Sequence, residues 1–564
     1  MTEIAPARPF QSFAKMVFIG FVVLEVFLGF ILLQKDSAYQ NAFCSVDDTY
    51  YYLQTAWNHK ECGFPTFDGI HATNGFHFAW YLILYGLSFA VTDKAQMLPL
   101  AIGAGIALNA ACFAFIHAIG RRLESPKIAV ALASLWFMVS LPTLSFTKGM
   151  ENSLHAFSLW WLCFELTRFS SQSIGNVPRS LIRLTLVLIL NAWTRLDAGI
   201  LSAVVFATVA FRSFCRSSGS GERAQGLGRA IIWSCALAGA GLFIQVACFH
   251  HWAGTFIPIS GLIKSAGIFP VREYASSFGK LWVLLRMSTP ILPFVDKILV
   301  PSACWLAVGM VLAGAWFPRK KGAPCGLHRL TAITLPLGGG TLAYLAYYLG
   351  SSAAQFAFWY FTPAIVLCVV CLGAIFVCGA ETLELRTRRR FVSEIACVAL
   401  VAGALLLCLL RLAINLRHSA GGTAYAVRYE AAGWIRANLP ADAVLASWNA
   451  GQLGFFSHRT VINLDGLVND RRYFEEVLKG RRALPEYLRE NRVDYVVDYY
   501  DYSSDHFTAN LPVVQSFPMP AVRGGGALRV WAFKDQPAGR RGGRPISPPQ
   551  LSGGNGNSAR DDGS

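Results

Sequence analysis

Long apolar blocks separated by short loops constrain this chain more than any other feature. Each block reaches about 20 residues, which as a helix spans the roughly 30 Å hydrocarbon core of a bilayer. Hydrophobic residues make up 54% of the 564 residues and charged residues only 15%, far from a soluble composition. The sequence therefore predicts an α-helical polytopic membrane protein. Eleven spans are expected, at residues 15–33, 97–119, 128–146, 152–167, 180–193, 197–212, 229–250, 302–317, 330–348, 357–378 and 392–412.

A shorter aromatic-rich run at 76–91 is consistent with a twelfth span or with a helix lying in the membrane interface. The basic loops decide between these interpretations. If 76–91 does not cross, the basic clusters around residues 120–127, 179–183, 212–229, 317–322 and 386–390 all share one side. The positive-inside rule makes that side cytoplasmic, and with it the N-terminal residues 1–14. These loops also account for much of the net charge of +16 without any nucleic-acid partner. The first span lacks a small-residue cleavage pattern and is expected to be a retained anchor.

The cysteines give little functional information, because most of the fourteen lie inside apolar spans. Cys44 and Cys62 are different, since both lie in the first exterior loop, residues 34–96, and flank a pair of acids. They either form a disulfide in an oxidising compartment or remain reduced, and the sequence leaves both open.

The composition changes after the last span. Helix-like and strand-like stretches alternate from about residue 420, which predicts a small α/β domain within residues 413–535. Eleven crossings from a cytoplasmic N-terminus place this domain outside the cytoplasm. Residues 536–564 are rich in Gly, Pro, Ser and Arg and are expected to be disordered.

Polar residues that hydropathy does not explain converge on the exterior turns of this topology. Ionisable groups near membrane depth are costly and are therefore functional candidates. Each also has a structural interpretation, as a helix cap or as a local ion pair. Taken together they predict one shared active site. Its candidates are Asp47 and Asp48 in the first exterior loop, Glu151, Arg195 and Asp197 at later turns, Lys264 after span seven and Trp359 at the start of span ten.

Sugar transfer from a lipid phosphate needs this combination. The anionic phosphate requires Lys or Arg at the interface, and the acceptor hydroxyl requires a carboxylate that takes its proton. Aromatic side chains such as Tyr51 and Trp359 suit sugar stacking, although each serves equally well as an interfacial anchor.

Four segments resemble one known superfamily: SVDDTYYYLQTAWN, GMENSLHAF, NAWTRLDAGIL and GTFIPISGLIK. They are similar to the integral-membrane GT-C glycosyltransferases, in particular bacterial members related to the protein mannosyltransferase, aminoarabinose transferase and arabinofuranosyltransferase groups. The likeness covers about residues 15–380, and residues 447–470 resemble the exterior domain of the same members. It implies a polyprenyl-phosphate sugar donor, inversion at the anomeric carbon, a glycan, lipid or protein acceptor, and location in the bacterial inner membrane.

The resemblance also implies roles for the candidate residues. Asp47 becomes the general base and Asp48 a supporting carboxylate, with the reverse order left open. The groups expected to orient these acids and to bind the donor or acceptor are Glu151, Arg195, Asp197 and Lys264, with Tyr51 and Trp359, and with His71, Asn74 and His77 of the segment GIHATNGFH. Many relatives carry a proline where this chain has Phe78, which affects only local helix geometry. No cofactor is expected, and no His/Cys spacing favours a dedicated metal site, although dependence on a divalent metal stays open.

Two other classes of function remain as alternatives. A lipid-linked sugar flippase or secondary transporter would also be basic inside, but it predicts charges near the bilayer midplane and a repeated half, and neither is obvious here. A noncatalytic scaffold leaves the acid pair without a purpose. In the exterior domain, Trp448, Asn449 and Asp465 either bind the acceptor or only build turns.

Overall fold

A computed structural model describes residues 8–43, 45–143, 148–170, 177–217, 221–266, 299–316, 325–350, 358–389, 391–417, 423–498, 507–519 and 526–533. Cys44 and the predicted disordered segment 536–564 lie outside these ranges, so both expectations about them stay predictions.

The described residues from Arg8 to Arg417 form a helical bundle. Its helices are α1 Arg8–Leu33, α2 Ser37–Phe43, α3 Asp47–Cys62, α4 Phe78–Ser88, α5 Met97–Arg122, α6 Pro126–Thr143, α7 Asn152–Ser170, α8 Val177–Thr194, α9 Ala198–Ser217, α10 Gly221–Ala253, α11 Ile259–Ser265, α12 Leu299–Trp316, α13 Cys325–Gly350, α14 Thr362–Thr387 and α15 Val392–Arg417. Each of the eleven predicted spans coincides with one of the long helices α1, α5 to α10 and α12 to α15. Within the described ranges, six helices are long and apolar enough to cross a membrane.

The core of the bundle is built around α14. Its most apolar window is 72% buried, against 17% for the corresponding window of α10, which places α14 at the centre and α10 at the periphery. The central helix packs on α6, α7, α12 and α13, while α1 packs on α5 and α6. Trp233 and Phe243 are exposed on the outward face of α10. We expect this face to contact lipid tails.

The segment predicted to lie along the exterior surface contains the 11-residue helix α4. At 1.5 Å per residue it is about 16 Å long, half of what a membrane crossing needs. Trp80, Tyr81 and Leu84 are buried against the neighbouring helices. Its length and packing agree with a helix that does not cross.

A small α/β domain follows the bundle and is called the exterior domain after the location that the sequence predicts for it. Its helices are α16 Ala424–Asn438, α17 Ala450–Phe456 and α18 Leu484–Glu490, with a short helix Arg471–Tyr473 that continues as a π-helix, Phe474–Leu478. Its strands are β1 Val444–Ser447, β2 Thr460–Asn463, β3 Tyr495–Asp498, β4 Val513–Pro518 and β5 Ala527–Ala532. The sheet has the order β2-β1-β3-β5-β4, with β1 parallel to β2 and β3, and with β5 antiparallel to β3 and β4. The fold class predicted from the sequence, a membrane helical bundle with a small C-terminal α/β domain, is confirmed.

Alternation along the strands gives the domain two cores. Leu445 faces α16 and packs with Ile435, whereas its neighbour Ala446 faces the other side and packs with Leu488 of α18. The domain meets the bundle through α17, which lies against α3. The approach is so close at Gly451 that an added Cβ would lie 2.2 Å from the backbone oxygen of Asp47, and only glycine fits there.

Candidate active site

The paired carboxylates open α3, where the N-terminus of a helix favours negative charge. Consecutive residues of an α-helix point about 100° apart, so Asp47 and Asp48 have different neighbours. Residues four positions apart lie on the same face of a helix, so Tyr51 shares the face of Asp47 and Tyr52 shares the face of Asp48. One face of α3 therefore meets the exterior domain and the other meets the bundle.

Asp47 is held by the exterior domain. Its carboxylate accepts hydrogen bonds from the backbone N–H groups of Gly451, at 3.2 Å, and Gln452, at 3.0 Å, at the start of α17. The guanidinium of Arg428, a residue on α16, lies 3.3 Å away and is almost fully buried. Two amides and one cation occupy the oxygens of Asp47, an arrangement that joins the domain to α3.

Asp48 is in a different situation. It is half-buried, and its side chain has no hydrogen-bond partner among the residues that the structure describes. Burial raises the pKa of Asp48 to about 6, with Asp47 and Glu151 adding to the rise and Lys264 opposing it. A carboxylate of this kind is a stronger base than an ordinary aspartate and is free to accept a proton.

Glu151 is the centre of the polar cluster beneath Asp48. It is 1% exposed, accepts a hydrogen bond from Tyr52 Oη at 3.0 Å, and lies 3.3 Å from Nε2 of His77. Burial lowers the pKa of His77 to about 4, so this imidazole is neutral. The turn that presents Glu151 needs Gly149, whose φ is +69° and whose added Cβ would meet Thr49 at 2.8 Å.

Arg195 links Glu151 to Asp197. It is 1% exposed and donates to Glu151 Oε1 at 2.8 Å and to both oxygens of Asp197, at 3.1 and 2.8 Å. Asp197 also accepts hydrogen bonds from Tyr344, at 3.1 Å, and Tyr348 of α13. Arg195 and Asp197 do pair with each other, and Arg195 extends that pair to Glu151.

Lys264 reaches the same cluster from α11. Its ammonium donates to Tyr360 Oη at 2.8 Å, and the face of that ring lies 4.5 Å from the guanidinium of Arg195. Burial lowers the pKa of Lys264, but Tyr360 and Asp48 outweigh it and leave the pKa above its ordinary value. Lys264 is therefore a charged, half-buried cation between Tyr360 and Asp48.

Asn74 positions the start of α11, the short helix that carries Lys264. Its fully buried amide donates to Thr255 Oγ1 at 2.8 Å and accepts from the backbone N–H of Ile259, the first residue of α11, at 2.9 Å. Of the other predicted residues, His71 lies away from this cluster. His71 pairs with Asp68 at 2.7 Å and packs near Tyr487 of the exterior domain, so the structure does not bring it to the Glu151 cluster.

Two aromatic predictions have different outcomes. Tyr51 donates to Asp465 Oδ2 at 2.6 Å and accepts from Asn463 at 3.2 Å, and both partners are in the exterior domain. The side chain of Trp359 lies outside the described residues, as does Cys44, the proposed disulfide partner of the exposed Cys62.

Sequence reasoning missed several members of the site. Tyr344 and Tyr348 stand four residues apart at the end of an apolar helix, a pattern that can reveal a polar face. Tyr360 lies beside the predicted Trp359 in the same FWYF segment. Arg428 gave no signal, because its partner Asp47 is far away in the sequence. Within the described ranges, no group of three or more His, Cys, Asp or Glu side chains is placed to hold a metal ion.

Comparison with known proteins identifies the fold. ArnT from Cupriavidus metallidurans in the apo state aligns with a TM-score of 0.55 and 11% identity, and the same protein bound to undecaprenyl phosphate aligns with 0.53 and 13%. Both alignments cover 93% of this chain and 99% of ArnT. An Archaeoglobus fulgidus oligosaccharyltransferase tethered with an acceptor peptide aligns with a TM-score of 0.46 and 14% identity over 86% of this chain and 69% of the other.

Sequence comparisons add one domain. Residues 415–536 match a family described as a domain of unknown function, DUF8728, and no curated protein matches the chain. The similarity in fold extends over nearly the whole chain and confirms the resemblance inferred from the sequence at the level of the fold. This chain has the fold of the ArnT structures, with the long apolar helices of a multi-pass membrane protein.

Proposed function

We propose that this protein is a glycosyltransferase that moves a sugar from a polyprenyl-phosphate donor to an acceptor hydroxyl outside the cytoplasm. The observation that carries the proposal is the meeting of Asp48, Lys264 and the Glu151–Arg195–Asp197 network at one end of the bundle. A base and a cation close to each other are what this reaction needs. The complex of ArnT with undecaprenyl phosphate, in the same fold, supports a lipid phosphate as the donor.

The donor phosphate binds at Lys264. This lysine keeps its charge, stands on α11, whose first residue is held by Asn74, and has Tyr360 as its hydrogen-bond partner among the described residues. An ammonium has three donors, so one hydrogen bond to Tyr360 leaves capacity for phosphate oxygens. Arg195 is saturated by two carboxylates and acts by positioning the network rather than by holding phosphate directly.

Asp48 acts as the base. The acceptor oxygen attacks the anomeric carbon while its proton passes to Asp48, and the bond between that carbon and the phosphate oxygen breaks. The bonding electrons leave with the polyprenyl phosphate, whose new charge Lys264 stabilises. A single displacement inverts the configuration and forms no covalent sugar intermediate. The proposal assigns no step to a metal or a cofactor.

Asp47 has a structural role in this proposal, which is to link α3 to the exterior domain. Its oxygens are already engaged by Arg428 and by the start of α17, whereas those of Asp48 are not engaged by any described residue. These contacts favour the reverse of the order expected from the resemblance, with Asp48 as the base and Asp47 as the support.

The site faces away from the cytoplasm. Arg121 and Arg122 end α5, and the opposite end of that helix, with Leu98 and Ala101, packs in one apolar cluster with Leu53 of α3. Basic residues at one set of helix ends indicate the cytoplasmic side, here that of a bacterial inner membrane. The exterior domain would then lie over the site on the outer surface.

The test is a donor screen. Membranes that contain the protein are incubated with a set of radiolabelled polyprenyl-phosphate sugars, and label released from the lipid is measured against membranes that lack it. We expect release from at least one donor, reduced strongly by Lys264→Gln and unchanged by Lys479→Gln. Lys479 is an exposed lysine of the exterior domain, where it pairs with Glu475 and lies over the Phe474 ring. Equal release by the Lys264→Gln variant and the wild type would remove Lys264 from the donor site.

A further inference from the structure

A second polar cavity lies on the other side of α3 from the Glu151 cluster. Its volume is about 500 Å³, and it opens between the second half of α3, the loop before α5 and the exterior domain. The lining residues that matter here are Gln54, Trp57, Asn58, Lys94, His458 and Arg459. The proposed reaction uses none of them.

The amides of this cavity are aligned by a chain of hydrogen bonds. Lys94 Nζ donates to Gln54 Oε1 at 3.0 Å, Gln54 Nε2 donates to Asn58 Oδ1 at 3.4 Å, and Asn58 Nδ2 donates to a backbone oxygen at 2.8 Å. The chain fixes the orientation of both amides and leaves two donors of the Lys94 ammonium without a described partner. These hydrogen bonds therefore hold the polar groups of the cavity in fixed orientations, unlike those of mobile surface side chains.

Lys94 and Arg459 bring two cations to the cavity, which Asp68 and Asp93 also line. Burial lowers the pKa of Lys94 to about 8, and the charge of Arg436 lowers it further, while Asp93 opposes this. Nε of Arg459 is buried and has no hydrogen-bond partner among the described residues. Of the two acids in the lining, Asp68 is already used by His71. A bound anion would relieve the repulsion among these cations.

Trp57 adds an aromatic surface. Trp57 is half-buried and lines the cavity, and the ammonium of Lys60 lies 4.3 Å from the centre of its ring. An aromatic face beside fixed amides suits a sugar ring, and the nearby cations suit an acidic substituent on that ring.

We propose that this cavity binds an anionic saccharide, a sugar that carries a phosphate or carboxylate group, as the recognition element of the acceptor. The inference rests on the proposed function. Trp57 follows Asp48 by nine residues of α3, a distance of about 14 Å along the helix. Because the cavity and Asp48 lie on different sides of α3, an acceptor that occupies this cavity and presents a hydroxyl to Asp48 must be longer than one sugar and pass around the helix.

The experiment uses the full chain labelled with 5-fluorotryptophan, in phosphatidylcholine nanodiscs, and follows the fluorine resonance of Trp57. That resonance is assigned by its loss in Trp57→Phe. Glucose 6-phosphate, glucuronate, inorganic phosphate and glucose are the probes, and a second set of discs contains phosphatidylglycerol. We expect saturable shifts with the two anionic sugars, and half-saturation by glucose or inorganic phosphate at concentrations about tenfold higher or more.

Variants separate the site from its surroundings. Lys94→Gln should weaken binding of glucose 6-phosphate about tenfold, Lys94→Arg should retain it, and Lys479→Gln should leave it unchanged. Equal binding of glucose, or unchanged binding by Lys94→Gln, would overturn the anionic site. A response to phosphatidylglycerol alone would overturn the saccharide and point to a lipid headgroup.

The outcome is independent of turnover. Asp48→Asn should bind glucose 6-phosphate like the wild type. If binding fails while donor sugar is still transferred, only the acceptor site is wrong. If binding succeeds and no donor is used, the glycosyltransferase proposal fails instead.

Discussion

Replacing Asp47 by Asn tests whether this carboxylate is a structural link rather than the reacting base. Asn keeps the size of the side chain but removes the charge that pairs with Arg428, and it replaces one acceptor oxygen by a donor that faces an N–H group of α17. Arg428 has only 4% of its side chain exposed, and Asp47 12%. Breaking such a pair by changing one partner costs about 3–5 kcal/mol, because the remaining charge stays buried.

That cost appears as opening of α17 from α3. At about 1.4 kcal/mol per factor of ten, a loss of about 3 kcal/mol raises the open population on the order of 100-fold. Amide hydrogen exchange followed by mass spectrometry in peptides that contain Gly451 and Gln452 measures it directly. We expect these amides to exchange about 100-fold faster in Asp47→Asn and at the wild-type rate in Asp48→Asn.

A partner replacement makes the reasoning refutable. Replacing Arg428 by Met in the Asp47→Asn background removes the unpaired charge and should recover part of the protection. If Asp47→Asn leaves exchange at Gly451 and Gln452 unchanged but abolishes sugar transfer, Asp47 is the base, as the sequence resemblance first suggested, and its contacts with α17 are incidental.

Three further predictions concern the same contact and its acids. Gly451→Ala should lower the melting temperature and loosen α17, because its Cβ would lie 2.2 Å from a backbone oxygen, whereas Gly433→Ala, with open space, should not; equal effects in calorimetry would refute the close approach. Transfer should fall as pH drops below about 6, because Asp48 must be unprotonated, and a rate flat from pH 5 to 8 would contradict this. Burial raises the pKa of Asp465 to about 7, so its contribution to stability is full below about pH 4 and is lost as pH rises to about 7. The difference in melting temperature between the wild type and Asp465→Asn should follow this trend. A difference that does not change with pH would refute it.

The bundle was predictable because its signal is local. A span needs only a long apolar run, and each predicted span coincides with a helix in the structure. The exterior turns were predictable for a related reason, since a polar residue between two spans must lie near a membrane surface. That argument predicts from the sequence alone that Asp48, Glu151, Arg195 and Lys264 lie at one end of the bundle.

The different roles of Asp47 and Asp48 were not predictable from the sequence. Adjacent carboxylates look equivalent in a sequence, and only the position of α17 makes them different. Arg428 and Gly451 belong to a domain that begins after the last span, and no local pattern relates them to Asp47. His71 failed to join the cluster for a similar reason, because its nearby partner Asp68 turns it towards the exterior domain.

The most direct test of the central claim is single-turnover transfer by Asp48→Asn with a donor found in the screen, measured beside donor binding and beside Asp47→Asn. Loss of a general base predicts a rate at least about 100-fold lower in Asp48→Asn, with donor affinity preserved by Lys264 and Tyr360. A product of inverted configuration should form in the wild type. If Asp48→Asn transfers sugar at the wild-type rate, Asp48 is not the base and the proposed mechanism is wrong.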